Sequence, residues 1–149
     1  MIEEETTNKN HLEIFRKLRS YGYKVLSGKK RINHFTAVIV RPDTLESAVV
    51  QIKQSTTNAF IVGDGYESFM NDTRFDNLIY ILIKIHKDNT HDVCVVPGKI
   101  AKKIRKRAWE IHPQNNPGSE GQKTDRKCRQ TLNIKEIYKY KDDYFRLWK

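Results

Sequence analysis

Gln51 and Lys53 stand two residues apart in a segment rich in β-branched residues, Phe35 to Ser55. Side chains alternate along a strand, so both are expected on the same face. A lysine fixed beside an oxygen-bearing side chain can hold a metal ion and an attacked phosphate together. In a basic protein, this spacing indicates nucleic-acid chemistry.

The two strands that must position this pair are predicted over 35–41 and 47–53, because both are rich in residues that favour strands. Pro42 and Asp43 supply the turn between them. If these two residues fill the centre of a tight turn, the expected cross-strand pairs are Arg41 with Thr44 and Thr36 with Gln51.

The charge of the chain is strongly uneven. It carries 28 Lys and Arg against 18 Asp and Glu, a net charge of +10, and residues 97–149 hold 15 of the basic residues and only 6 of the acidic ones. This asymmetry predicts a polyanion that is contacted mainly through the C-terminal third. An acidic protein partner would also suit such a surface and stays open as an alternative.

Length and composition predict one domain over residues 1–149. The polar residues 1–10 lack a secretory signal pattern and are expected to be frayed. The longest largely apolar run, Leu78–Ile85, is much shorter than the ~20 residues of a membrane span, which predicts no membrane partner. Cys94 and Cys128 do not form a disulfide framework, and Cys94 lies in an apolar run typical of a buried thiol. We therefore expect a cytoplasmic protein.

The remaining periodicity predicts helices and strands in alternation. Helices are predicted over 11–21, 66–71, 98–111 and 134–148, with further strands over 23–26, 78–85 and 92–96. Asn8 or Asn10 is the expected cap of the first helix. Residues 27–31 are interpreted as a basic turn, and 112–126 as a long polar loop. This order predicts an α/β fold with a central mixed sheet and helices on both sides.

The order of elements, with a strand pair that ends in Gln51-x-Lys53, resembles the PD-(D/E)XK nuclease superfamily, with a Gln-x-Lys variant of its motif. The resemblance covers most of the chain, from Glu13 in the first helix to residues 132–148. It implies a restriction-endonuclease-like fold and a small Mg²⁺-dependent endonuclease of the restriction, homing or junction type that hydrolyses DNA. It also implies a metal site formed by Glu13 and Gln51, with Lys53 as the phosphate or water partner.

The sequence departs from this family where the metal-binding aspartate is expected, because that position is Thr36. Thr36 and Gln51 are neutral, so Glu13 alone would bring charge to an ion that prefers carboxylate oxygens. Candidates for a carboxylate that comes from elsewhere are Asp43, Asp64 and Glu67. Asp43 is a weaker candidate for the metal site than Glu13 and Gln51, because it sits in the turn, where a structural role is expected. The alternative is a weakened or inactive nuclease-fold domain that binds nucleic acid.

A second candidate site is the basic helix predicted after Pro97. Six of the nine residues from Lys99 to Arg107 are basic, while Ile100 and Ile104 recur at helical spacing and are expected to face the core. The residues expected to bind nucleic acid are Lys99, Lys102, Lys103, Arg105, Lys106, Arg107, Lys123, Arg126 and Lys127. Phosphate contacts of this kind bind without reading sequence. Double-stranded DNA is the expected partner, and cutting both of its strands would favour a homodimer.

Overall fold

A computed structural model describes residues 2–31, 34–63, 65–111 and 130–143. Within these residues the chain forms seven strands: β1 Lys24–Arg31, β2 His34–Val40, β3 Ser47–Ser55, β4 Ala59–Gly63, β5 Leu78–Ile85, β6 His91–Pro97 and β7 Gln130–Asn133. Five of them form one sheet in the order β1-β2-β3-β5-β6, and β4 and β7 form a separate pair. The β3–β5 pair is parallel and the other neighbours are antiparallel, so the main sheet is mixed.

The helices lie on both faces of the main sheet. They are α1 Ile2–Ser20, α2 Tyr66–Asn71, α3 Gly98–Ile111 and the short α4 Ile134–Ile137, with 3-10 turns at Thr73–Asn77 and Tyr138–Tyr140. Leu18 of α1 is buried against Val50 and Ile81 on one face. Ala101 of α3 is buried with Tyr80 on the opposite face. The predicted α/β architecture with a mixed sheet between helices is therefore confirmed.

The central strand β5 explains how one sheet supports two cores. Its side chains alternate between Ile79, Ile81 and Ile83 on the α1 face and Tyr80 and Leu82 on the α3 face. All five are buried, as expected for a strand that is covered on both sides. On the neighbouring strand β3, buried Val50 and Ile52 lie on the α1 face, and Gln51 and Lys53 lie on the α3 side.

The predicted register of the β2–β3 hairpin is confirmed where it matters for the site, because Thr36 pairs with Gln51. The expected pairing of Arg41 with Thr44 is wrong. Arg41 faces Glu46, with a backbone hydrogen bond of 2.9 Å from its N–H to the Glu46 carbonyl. The turn is longer than a two-residue turn, and Leu45 adopts a φ of 60° within it.

Three predictions in the N-terminal part of the chain are wrong. Residues 2–10 belong to α1 rather than to a frayed end, and Asn8 and Asn10 lie inside the helix instead of capping it. Asn10 donates from Nδ2 to Gln54 Oε1 over 3.4 Å, which ties this part of the helix to β3. The expected basic turn at 27–31 is part of β1, with a bulge between Leu26 and Lys29, since pairing with β2 outweighs the local turn signal.

The predicted helix over 134–148 is also wrong. The helix α4 ends at Ile137, and Lys141 then forms an isolated bridge with Cys94. Asp142 has a φ of 55° and donates its backbone N–H to the Val93 carbonyl over 2.8 Å. Hydrogen bonds to the edge of β6 thus replace those that a continuing helix would make. The predicted loop over 112–126 lies outside the described residues.

No helix in the described ranges is both long and apolar enough to cross a membrane.

Cys94 is fully buried, as predicted, and burial raises the pKa of its thiol to about 11. Cys128 lies outside the described residues.

Candidate nucleic-acid interface

A cavity of about 360 Å³ opens beside β3, on the face that carries Gln51 and Lys53. Strand β4 forms one wall through residues 61–63, and the segment from α2 to Arg74 forms another. The polar side chains that line the cavity are Gln51, Lys53, Ser68, Asp72 and Arg74. The two residues that the sequence singled out therefore face a real cavity.

Lys53 joins the main sheet to the small one. Its Nζ donates a hydrogen bond of 2.6 Å to the backbone carbonyl of Ile61 on β4. A lysine ammonium group can only donate, so the Ile61 carbonyl oxygen accepts this bond and orients the group. Lys53 thus presents a positively charged group at the wall of the cavity and also holds that wall in place.

Tyr80 gives the same wall a second attachment. It pairs with Gln51 across the parallel β3–β5 ladder, and its hydroxyl donates to the Val62 carbonyl over 3.3 Å. Burial raises the pKa of Tyr80, and the nearby Asp72 carboxylate raises it further. The phenol therefore stays protonated at neutral pH and continues to act as the donor in this bond.

Asp72 is a carboxylate at the cavity that the sequence reasoning missed. Arg74 Nε donates a hydrogen bond to Asp72 Oδ1 at 3.0 Å, and a second guanidinium nitrogen donates to Oδ2 at 2.6 Å. The hydrogen bonds from the Arg74 side chain hold the pKa of Asp72 at about 2. The signal available in the sequence was an Asp-x-Arg spacing directly after the predicted helix 66–71, where Asp commonly bonds to the backbone two residues on.

Glu13 does not join this cavity. Its carboxylate lies 3.5 Å from Nε2 of His91 at the start of β6. Helix α1 covers the face of β3 that carries Val50 and Ile52, whereas Gln51 points to the other face. The structure does not assemble the metal site expected from Glu13 and Gln51, because alternation along β3 separates them by the thickness of the sheet.

The other candidate ligands are also placed elsewhere. Thr36 is opposite Gln51 but is neutral. Asp43 stays in the hairpin turn, where its Oδ1 accepts the Thr44 backbone N–H at 3.0 Å. Glu67 is exposed on α2 and does not line the cavity, and Asp64 lies outside the described residues.

These residues do not fit the Mg²⁺ that the resemblance implies. Among the described residues, no three His, Cys, Asp or Glu side chains cluster as metal ligands. The one described carboxylate that lines the cavity, Asp72, has both oxygens bonded to Arg74. An Mg²⁺ ion needs oxygen ligands in near-octahedral geometry, and a guanidinium in that position opposes its charge. The described charged side chains that line the cavity are therefore Lys53 and the Asp72–Arg74 ion pair.

Helix α3 divides its predicted contact residues into two sets. Lys99, Lys103, Lys106 and Arg107 are exposed, and their spacing places them within one arc of the helix. Lys106 lies 4.0 Å from Glu110, a weak contact on the same arc.

Lys102 and Arg105 are the exception, and their expected exposure is a wrong prediction. The Lys102 ammonium binds the Asp72 carbonyl at 2.8 Å and Asp76 Oδ1 at 3.0 Å. The Nε of buried Arg105 donates to Gln130 Oε1 on β7 at 2.9 Å. Lys102 therefore points toward the segment that follows α2, and Arg105 points toward β7.

Tyr66 and Trp109 mark the same packed side of α3. Their rings stack with centroids 4.3 Å apart and planes 14° from parallel.

Three further residues expected to bind nucleic acid lie outside the described residues: Lys123, Arg126 and Lys127.

No family model, no curated protein and no solved structure matches this chain.

Two cationic features lie on the same side of the main sheet. One is the exposed arc of α3, and the other is Lys53 at the wall of the cavity, where Arg74 is paired with Asp72.

Proposed function

We propose that this protein binds nucleic acid, with double-stranded DNA as the first partner to test. The observation that carries the proposal is the exposed arc of α3, formed by Lys99, Lys103, Lys106 and Arg107. These cations are distinct from Lys102 and Arg105, which make contacts within the fold. Four like charges within three helical turns repel one another, so they suit a polyanion that releases counterions on binding.

Binding without hydrolysis is the form of this function that the cavity supports best. On the PD-(D/E)XK interpretation, the position of the metal-binding aspartate is Thr36, and the next ligand is the neutral Gln51. Asp72 could replace the lost charge only by giving up Arg74, which holds both of its oxygens. We therefore propose a nuclease-like α/β scaffold that has kept phosphate binding.

The Mg²⁺-dependent endonuclease stays a prediction with a direct assay. Purified protein is incubated with supercoiled plasmid in Mg²⁺ or Mn²⁺, beside Lys53→Met. Nicking by the native chain that is lost in Lys53→Met would overturn the proposal of binding without hydrolysis. A Thr36→Asp variant that gains nicking would support a lost catalytic site.

The binding surface is tested with two double variants that lose the same charge. Lys103→Gln/Arg107→Gln removes half of the exposed arc, and Lys24→Gln/Lys87→Gln removes two exposed lysines elsewhere. At ~0.9 per phosphate contact, four contacts give a salt slope of about −3.6, and two contacts about −1.8. Raising salt from ~50 to ~200 mM should then weaken native binding ~150-fold and the arc variant ~12-fold.

Fluorescence anisotropy with a short labelled duplex measures both slopes. Equal slopes for the two double variants would exclude α3 as the interface. Absence of any DNA or RNA binding at low salt would exclude the function and favour an acidic protein partner. The homodimer stays a prediction that analytical ultracentrifugation with and without duplex would test.

A further inference from the structure

A second cavity meets the first one at Lys53. It has a volume of about 290 Å³ and lies between the end of β3 and the start of β4. Lys53 and Ile61 line both cavities, so the two form one groove with the ammonium group between them. Along β3 the groove runs from Gln51 to Ser55, which is ~13 Å at ~3.3 Å per residue. We call this feature the Lys53 groove.

The polar groups of the Lys53 groove alternate in character along its length. Arg74 is at one end, with its side chain 88% exposed and paired with Asp72 at 2.6 Å, and Lys53 is in the middle. Neutral amides and hydroxyls line the cavity on each side of Lys53: Gln51 and Ser68 in the first, Ser55 and Thr57 in the second. A sugar–phosphate strand has the same alternation, because each phosphate lies between two neutral nucleosides.

The wall of the groove decides which form of nucleic acid can enter. Strand β4 is held in place as the wall of the groove by the bonds from Lys53 to Ile61 and from Tyr80 to Val62. Cavities of about 290 and 360 Å³ are of a size for single nucleotides. A duplex keeps its nucleosides paired and stacked, so it cannot place them on the two sides of Lys53. An unpaired strand can, because its nucleotides are splayed apart.

We infer that the Lys53 groove binds an unpaired strand of nucleic acid, with a phosphate at Lys53 and one nucleoside in the cavity on each side. This inference rests on the proposed function and narrows it. The exposed arc of α3 lies on the same side of the sheet, so the favoured ligand is a duplex that carries a single-stranded overhang. Phe60 and Phe69 line the cavities but are buried in the core, so binding does not depend on base stacking.

Two tryptophan variants on adjacent positions of α2 test the groove. Ser68→Trp places a large side chain at the rim of the first cavity, whereas Glu67→Trp adds the same side chain at an exposed position that does not line it. Anisotropy is measured with a blunt duplex, the same duplex with an overhang, and the overhang strand alone. The native protein should bind the overhang duplex about tenfold more tightly than the blunt one, as expected for one or two added contacts.

The two tryptophan variants should differ in their preference for the overhang duplex. Ser68→Trp should lose the tenfold preference and keep blunt-duplex affinity, while Glu67→Trp keeps both. Arg74→Ala, an exposed change that does not depend on how a tryptophan packs, should reduce the preference several-fold. Equal binding of blunt and overhang DNA by the native chain, or an unchanged preference in Ser68→Trp and Arg74→Ala, would overturn the inference while leaving the α3 surface intact. Loss of all DNA binding would instead remove the proposed function itself.

Discussion

Arg105 and Arg107 lie two residues apart on α3, and replacing each by Met should change a different property. Arg105→Met should lower the stability of the fold, and Arg107→Met should weaken DNA binding. Methionine keeps an apolar stem of similar length and removes the guanidinium group. Arg105 is buried and donates to Gln130 on β7, whereas Arg107 is exposed on the arc that we propose binds phosphate. The pair therefore separates a charge that holds the fold together from a charge that binds a ligand.

The expected magnitudes follow from the contacts. A buried hydrogen bond with one charged partner contributes ~1.5–3 kcal/mol, so Arg105→Met should lower the free energy of unfolding by that amount. At ~2–4 °C per kcal/mol for a chain of this size, the melting temperature should fall by ~3–12 °C. Arg107→Met should change the free energy of unfolding by less than ~0.5 kcal/mol, as exposed substitutions generally do. It should instead reduce the salt slope of DNA binding by ~0.9, the effect of one phosphate contact.

The assays are differential scanning calorimetry for stability and anisotropy across a salt series for binding, with both variants and the native chain in parallel. The reasoning is refuted if Arg105→Met melts with the native protein and lowers the salt slope. That outcome would mean that Arg105 reaches the ligand and that its bond to Gln130 contributes nothing. A fall in stability for both variants would contradict the exposed position of Arg107.

Further predictions concern the β5–β6 hairpin and its thiol. Asp92 binds His86 Nε2 at 2.9 Å and Lys141 Nζ at 3.0 Å, so Asp92→Asn should lower the melting temperature by a few degrees and speed hydrogen exchange in the C-terminal segment. Hydrogen bonds from His86 and Lys141 hold the pKa of Asp92 below its usual value, so this stabilisation is complete above pH ~4 and is lost as pH falls through the lowered pKa. Acid titrations of the native chain and Asp92→Asn should converge; a constant gap would contradict this. In a Cys128→Ser background, Cys94 should react with a thiol reagent only as fast as the chain opens, because burial raises its pKa to about 11. Rapid labelling under native conditions would show that the site is accessible.

Local sequence patterns predicted the elements whose own residues decide their structure. The strand Leu78–Ile85 has the predicted bounds, because a run of apolar residues covered on both faces allows few other conformations. The register that sets Thr36 against Gln51 followed from the period of two along each strand. The cavity face of β3 was predictable for the same reason.

The parts that sequence did not predict depend on segments far apart in the chain. Strand β4 pairs with β7 across about 70 residues, and neither short segment carries a strong pattern of its own. Asp72 reaches the cavity because α2 and the following turn bring it there. Lys102 has the same residue type as its exposed neighbour Lys103, and only the packing of α3 against the Thr73–Asn77 turn distinguishes them. Helical spacing predicted which residues of α3 face the core and which face away from it. It did not predict which other segments would pack against the side of the helix that carries Lys102.

The pairing of β4 with β7 has a consequence for the order in which the parts of the protein fold during synthesis. All strands of the main sheet lie before residue 98, whereas β7 begins at Gln130. During synthesis the main sheet can pair while the partner of β4 has not yet left the ribosome, and contacts of long sequence separation form late. We expect a nascent chain that is stalled once Ile111 has left the ribosomal exit tunnel to carry its cationic helix before the wall of the Lys53 groove is fixed. Limited proteolysis should then cut residues 56–63 in the stalled chain and spare them in the finished protein.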